Sequence, residues 1–261
     1  MKLKFKSLKV IIVIINLIAL IGILILTAVG SSLAKSQQYN YATKRWSGEN
    51  SDNYTQISCF FSDDAGINKD TIRSINSQIV SSLEIASVIP KDDETLYIDA
   101  YSTSIGDMSI LSDNRRNAQA SFTAVGGDFF TFHNFNLLDG SYFSENDLMQ
   151  DSIIIDSDLA WALYGSNNVS GMNLYVNNIR FYISGVIENP KTEPEQKCFG
   201  DFSKAYISYE AARLINQKNQ SETEIIGSET QSDLITCYEC IIPNPVENFA
   251  FNTIKNIFEE A

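Results

Sequence analysis

Histidine is nearly absent from this sequence: 261 residues contain one, His133, together with only four cysteines. A single imidazole excludes multi-histidine zinc sites and leaves one candidate base for any serine or cysteine nucleophile. That histidine lies in FFTFHNF, among phenylalanines, where a packed or surface ring is the ordinary outcome. Neither G-x-S-x-G nor H-E-x-x-H occurs. The phosphate loop G-x-x-x-x-G-K-[ST] is missing too, so ATP hydrolysis cannot be assigned to the chain and any such energy comes from a partner. No catalytic, cofactor-binding or metal-ligating residue is singled out.

Basic residues are the next scarcity, 19 Lys and Arg against 32 Asp and Glu. Four of the lysines (Lys2, Lys4, Lys6, Lys9) precede the first apolar run, which leaves 15 basic residues to face all 32 acidic ones. A surface of that sign repels nucleic acid and anionic lipid head groups, so nucleic-acid binding is excluded as a function class.

The cysteines are Cys59, Cys198, Cys237 and Cys240. Cys237 and Cys240 have C-x-x-C spacing, but they sit in DLITCYECII, which reads as a strand. Three residues apart on a strand, two side chains point to opposite faces, which suits neither a chelate nor a redox pair. The expectation is structural cysteines, with a cross-strand disulfide involving Cys59 as the alternative.

One long apolar run is present. Residues 10–30, VIIVIINLIALIGILILTAVG, are interrupted only by Asn16, and their length matches a bilayer core crossed at about 1.5 Å per residue. Lysines on the N-terminal flank keep residues 1–9 cytoplasmic and place the rest of the chain outside. A cleaved signal peptide with Ser32–Leu33–Ala34 as processing site is the competing reading, against which the run is longer than a signal h-region. Asn16 and Gly22 within the run are weak hints of helix partners.

Residues 31–54 are polar and lack periodicity, so they read as a tether, and the chain beyond the anchor is long enough for one large or two small domains. TQISCFFSD reads as a strand, followed by a helix whose apolar face is Ile72, Ile75, Ile79, Leu83 and Ala86. Asn68 is its expected N-cap, and Ile67 with Ile72 has the spacing of a hydrophobic staple. The middle is mostly strand: TLYIDAYS, DMSILSD and NAQASFTAVG, then the turn-like LLDG. SIIIDSDLAWALYG reads as a strand and short helix closed by Gly165, and GMNLYVNNIRFYISGVIEN as a hairpin turning at Asn177–Asn178. KAYISYEAARLI repeats the strand–helix pattern, residues 217–231 form a surface loop, and the chain ends in strand then helix. For that last helix Asn244 is the expected cap, Pro245 the first position and Glu247 the third, with Val246, Phe249, Ala250, Ile254, Ile257 and Phe258 as its stripe. The fold class is α+β, too irregular in its alternation for a doubly wound sheet. Acidic runs such as Asp63–Asp64 and Asp92–Asp93–Glu94 lack the pattern of a calcium loop and read as solvated. Sequons at Asn53, Asn168 and Asn219 matter only in a eukaryotic secretory pathway.

Three blocks in fixed order carry a resemblance. FTAVGGDFFTFHNFNLLDGSYFSENDL, IIIDSDLAWALYG and SGMNLYVNNIRFYISGVIENP, within residues 121–190, resemble the MacB-like periplasmic core domain of MacB/FtsX-type ABC transporter permeases. The leading helix falls where that family has its first transmembrane segment. The resemblance implies a porter-like α/β lobe from residues 55–90 and 233–261, and an inserted β-rich lobe from residues 121–215. It also implies a cell-membrane location with the domain extracytoplasmic, movement of substrate at the outer membrane surface, and an ABC-type ATPase subunit as partner. Further transmembrane helices or a permease partner, and room for a homodimer, belong to the same expectation. Ser141 stands after Gly140 where the family often has arginine, and the sequence stops at Ala261 without the family's later transmembrane helices. The chain is thus expected to be either the N-terminal part of a permease or a half-protein with a separate membrane subunit. A single-pass anchored binding or sensor protein without an ATPase is the alternative.

Overall fold

The computed structural model describes residues 2–36, 41–48, 53–90, 95–190, 196–197, 199–200, 202–221 and 234–260. Cys198, the acidic run 92–94 and most of the polar segment 217–231 lie outside the described residues. Residues 1–40 and 41–261 form two separate compact units.

The first unit is one helix, α1 (Lys2–Ser36), built from apolar side chains with no acidic residue in its first turn. Its stretch Val10–Leu33 is long and apolar enough to cross a membrane, the one such stretch among the described residues, and it ends three residues beyond the expected limit. The Asn16 side-chain amide donates to the Ile12 carbonyl at 3.0 Å. One donor of that polar group is thereby satisfied inside its own helix, which weakens Asn16 as a sign of a helix partner.

The second unit is a mixed sheet of nine strands: β1 (Tyr54–Phe60), β2 (Ile98–Ser112), β3 (Asn117–Gly127), β4 (Leu137–Gly140), β5 (Ser152–Asp156), β6 (Asn173–Val176), β7 (Ile179–Ile187), β8 (Ser203–Ser208) and β9 (Cys237–Pro243). Their order across the sheet is β1-β9-β2-β3-β8-β5-β7-β4, with β6 pairing β2 and β7. β3 and β8, and β5 and β7, are parallel, and the other neighbours are antiparallel. The fold class is α+β, as the residue pattern implies. Strands from the segments expected in both lobes share this sheet.

Four helices cover one face: α3 (Lys69–Ile85), α5 (Ser157–Tyr164), α6 (Tyr209–Ser221) and α7 (Phe249–Glu260). They bury Ile72, Ile75, Ile79 and Leu83 of α3, Leu159 and Leu163 of α5, Ile215 of α6, and Ile254 and Ile257 of α7 against one core cluster. The second face carries α2 (Ala42–Ser47), the single turn α4 (Phe129–Phe132) and a smaller cluster that includes Phe129, Phe132, Phe143 and Ile154. β5 shows why its sequence is a continuous apolar run. Ile153 and Ile155 enter the larger cluster and Ile154 the smaller, so every position is buried.

Local chemistry explains several element ends. Asn68 caps α3 by accepting from the amides of Asp70 and Thr71, and Thr71 completes a capping box. Ile67 packs against the cluster that contains Ile72. Gly165 closes α5 at φ 74°, and Asn177 and Asn178 turn the β6–β7 hairpin at φ 49° and 59°.

Four sequence expectations are corrected. TLYIDAYS and DMSILSD are one strand, β2, with a bulge between Ser104 and Gly106, where Gly106 takes φ 87°. A left-handed glycine reads locally as a strand end, but the ladder to β3 carries the strand through it. LLDG is a short strand and not a turn. The expected tether contains α2, whose Ala42 is fully buried. Asn244 is not the cap of α7, because Asn248 at φ 64° delays the helix to Phe249. Its side chain still accepts from the Ala250 amide, and Val246 stays 65 % exposed outside the stripe.

Candidate functional site

Among the described residues, ionisable side chains are linked to one another across the sheet's elements on each of its two faces. On the helix-covered face, β2 presents Asp99 and Tyr101 on alternate positions, opposite Cys240 and Tyr238 of β9. Asn76 of α3 sits over them, donating to Asp99 Oδ2 at 3.0 Å and accepting from the Tyr238 hydroxyl at 2.9 Å. The Asp99 carboxyl is pushed up to about 6, by burial first and then by the nearby charges of Asp128 and Glu145, against the hydrogen bond from Asn76. Burial also raises the Asp128 carboxyl.

Beside this pair, Lys69 at the start of α3 places its ammonium 2.8 Å from both Glu145 Oε1 and Glu210 Oε1. Glu145 comes from the loop between β4 and β5, and Glu210 from the first turn of α6. Glu145 further accepts from the Tyr101 hydroxyl at 2.8 Å and from the Gly127 amide at 2.6 Å. Burial would raise both carboxyls, but the bonds and charge from Lys69, with Gly127 and Tyr101 for Glu145 and Arg213 for Glu210, hold both below the usual range. Burial would likewise lower Lys69, and its two carboxylate partners keep it above the ordinary value. One lysine thus ties α3 to α6 and to the β4–β5 loop. A cavity of about 220 Å³ opens beside it, lined by Asn68, Asp70, Arg73, Tyr209 and Arg213 among others. Its charged side chains are paired with one another, as Arg73 with Asp70 and Arg213 with Glu210.

On the second face lies the single histidine. His133 Nε2 is 2.6 Å from Glu239 Oε2, and its ring stacks on Phe129 with centroids 4.2 Å apart. Glu239 is in the middle of β9, with 9 % of its side chain exposed, and accepts from the Ser58 hydroxyl at 2.8 Å. Burial pushes this carboxyl up, and His133, Ser58 and Gln56 together bring it below the usual range. The order of contacts is serine, carboxylate, imidazole. A nucleophile needs the imidazole between serine and carboxylate, so this trio does not have the geometry of a hydrolase. On the same face Arg45 of α2 donates to the carbonyls of Thr131 and Phe132, at 3.0 and 2.7 Å from Nη2.

The cysteines stand as strand alternation dictates. Cys240 belongs to the larger cluster, whereas Cys237 occupies the odd positions shared with Glu239, on the opposite face. Cys59, Cys237 and Cys240 are free thiols, so the alternative disulfide through Cys59 is absent among the described residues. Burial raises all three, Cys59 to about 11 and Cys237 to about 12, which keeps them protonated and unreactive at neutral pH. Among the described residues no group of three or more His, Cys, Asp or Glu is placed to hold a metal ion.

Neither polar junction was legible as a motif. Lys69 and Glu210 are 141 positions apart, and His133 and Glu239 are 106 apart.

With this geometry in view, comparison with known proteins bears on what the unit is. The model of the MacB-like periplasmic core domain matches residues 8–233, most of the chain. The chain belongs to this family of domains. No curated protein sequence matches it. Similar solved structures include three extracytoplasmic or permease domains. The extracellular domain of the noncanonical ABC-type transporter YknZ from Gram-positive bacteria is 12 % identical with a TM-score of 0.46, over 79 % of this chain and 94 % of that one. The periplasmic region of MacB from Actinobacillus actinomycetemcomitans is 16 % identical with a TM-score of 0.45, over 80 % and 83 %. A domain of a putative permease from Porphyromonas gingivalis is 14 % identical with a TM-score of 0.39, over 68 % and 72 %. The family match alone carries the assignment. A MacB-like core domain is a component of ABC transporter permeases, and one spanning-length helix in front of it fits a membrane protein.

Proposed function

We propose that this MacB-like chain is the extracytoplasmic domain and first transmembrane helix of an ABC transporter permease, and that a partner ATPase drives movement of the domain. The family match over residues 8–233 carries this reading, because it includes both the spanning-length helix and the sheet domain as far as the segment before β9. The lysines before Val10 support an orientation with the N-terminus in the cytoplasm and the domain outside. Mechanical work is the reading that suits two internal polar junctions without a nucleophile–base pair. In it the domain contacts substrate at the outer surface of the membrane. Residues 55–90 with 233–261, and residues 121–215, act as two lobes whose relative position changes while the shared sheet stays continuous. The domain performs no bond chemistry. Isolation of the full-length chain from native membranes in mild detergent tests the reading. A P-loop ATPase retained in near-equal amount is the expected result, and a chain that purifies without any ATPase would sink the proposal in favour of an anchored binding protein.

A further inference from the structure

The segment that follows the membrane helix is locked onto the sheet by a continuous series of contacts, and each step has a physical reason. α2 begins six positions after α1 ends, so in chain order it is the first element of the domain after the anchor. It is held in three ways. Ala42 is fully buried, Trp46 packs edge-on against Tyr54 at 5.0 Å, and Arg45 grips two carbonyls of α4.

Those carbonyls belong to the C-terminal end of a helix four residues long. A single turn does not hold itself, since nucleation costs more than one hydrogen bond returns. Its last carbonyls have no intrahelical partner, and the guanidinium supplies one. The residue that follows, His133, is pinned to Glu239 in the middle of β9, and Glu239 is bound in turn by Ser58 of β1. α4 is thus tied to α2 through Arg45 and, through His133, to Glu239, in addition to the burial of Phe129 and Phe132. For α4 to couple the two holds, loss of either must loosen the other.

We infer that Arg45, α4, His133 and Glu239 form one coupled joint, through which the docking of α2 and the arrangement of the central strands β9 and β1 set each other. The purpose assigned to the joint, passing movement between the membrane helix and the sheet, rests on the permease reading above; its geometry does not.

Coupling is reciprocal, so a change made at Glu239 must be felt at α2. The chain supplies its own reporter, because Trp46 and Trp161 are its only tryptophans and Trp161 is 57 % exposed on α5. In the full-length chain reconstituted in lipid nanodiscs, with Trp161→Phe as background, acrylamide quenching and the emission maximum of Trp46 are recorded for Arg45→Ala, His133→Ala, Glu239→Ala and Glu239→Gln. All three alanine variants are expected to raise the quenching constant and shift the emission to the red. Glu239→Gln, which keeps an acceptor for His133 and Ser58, stays nearest the parent. The double variant Arg45→Ala with Glu239→Ala changes Trp46 by less than the sum of the two. Lys69→Gln, on the opposite face, leaves the signal alone. Parent-like quenching in folded Glu239→Ala overturns the inference, as does strict additivity. Should Glu239→Ala fail to fold, parent-like quenching in folded His133→Ala overturns it equally. No ATPase enters this assay, so its failure leaves the permease reading standing, and failure to recover an ATPase leaves the joint standing.

Discussion

Replacing Asp99 by asparagine removes a charge that the fold holds at a cost. The carboxyl lies on β2 between Asn76, Tyr238 and Cys240, with Asp128 and Glu145 close enough to repel it, and burial with those charges raises it from 3.8 to about 6. A carboxyl raised in the folded state binds its proton more tightly there than in the unfolded chain. It therefore destabilises the fold above pH 6, and the penalty fades as the pH falls toward 3.8. A rise of that size is worth about 3 kcal/mol at pH 7 and about 1 kcal/mol near pH 4.5. Asparagine keeps an acceptor for the Asn76 amide, so little is expected to be lost in exchange. Asp99→Asn should thus stabilise the domain by up to about 3 kcal/mol at pH 7, with the gain shrinking to about a third near pH 4.5. Urea titration of the full chain in detergent micelles, followed by circular dichroism at both pH values, reads this difference. A destabilised variant at pH 7, or the same gain at both pH values, refutes the reasoning.

Other outcomes follow from the same structure. Lys69→Met leaves Glu145 and Glu210 without their shared cation and should cost about 1–2 kcal/mol at pH 7, discounted for partial exposure of all three groups. Both carboxyls are depressed in the fold, so that contribution is present above the ordinary carboxylate range and is lost as the pH falls through their folded values. An equal cost in urea titrations at pH 7 and pH 3 would contradict it. Asp156 caps α5 by accepting from the Leu159 amide and also accepts from the Lys204 amide, so Asp156→Ala should lose about 2 kcal/mol and Asp156→Asn much less, measured by the same titration. Ile75 is 1 % exposed under α3, and Ile75→Ala should cost about 3 kcal/mol by opening a cavity, visible as a lowered Tm. Leu148 is fully exposed, so a cysteine placed there should react with a membrane-impermeant maleimide on intact cells, whereas one at Lys4 should react only after permeabilisation; the reverse pattern would invert the proposed orientation.

Short-range chemistry was readable from the residues because its cause is local. Asn68 caps α3 whatever lies around it, Asn177–Asn178 demand a tight turn, and alternation alone sends Cys237 and Cys240 to opposite faces. Where a distant partner decides the outcome, local pattern fails. Gly106 looks like the end of a strand until β3 is laid beside it. The segment around α2 is polar and without period, and its helix is held by carbonyls 86 and 87 positions away. Lys69 and His133 are ordinary residues in sequence. They become junctions only because the sheet order places β9 between β1 and β2 and brings the β4–β5 loop over α3.

The claim that this domain moves under the control of an ATPase is tested most directly by hydrogen exchange on the membrane-isolated complex, with and without a non-hydrolysable ATP analogue. The account predicts altered protection in α2, α4 and β9, while the α5 amides serve as an unchanged reference. A complex that binds the nucleotide and hydrolyses ATP while exchange throughout residues 41–261 stays the same would contradict it.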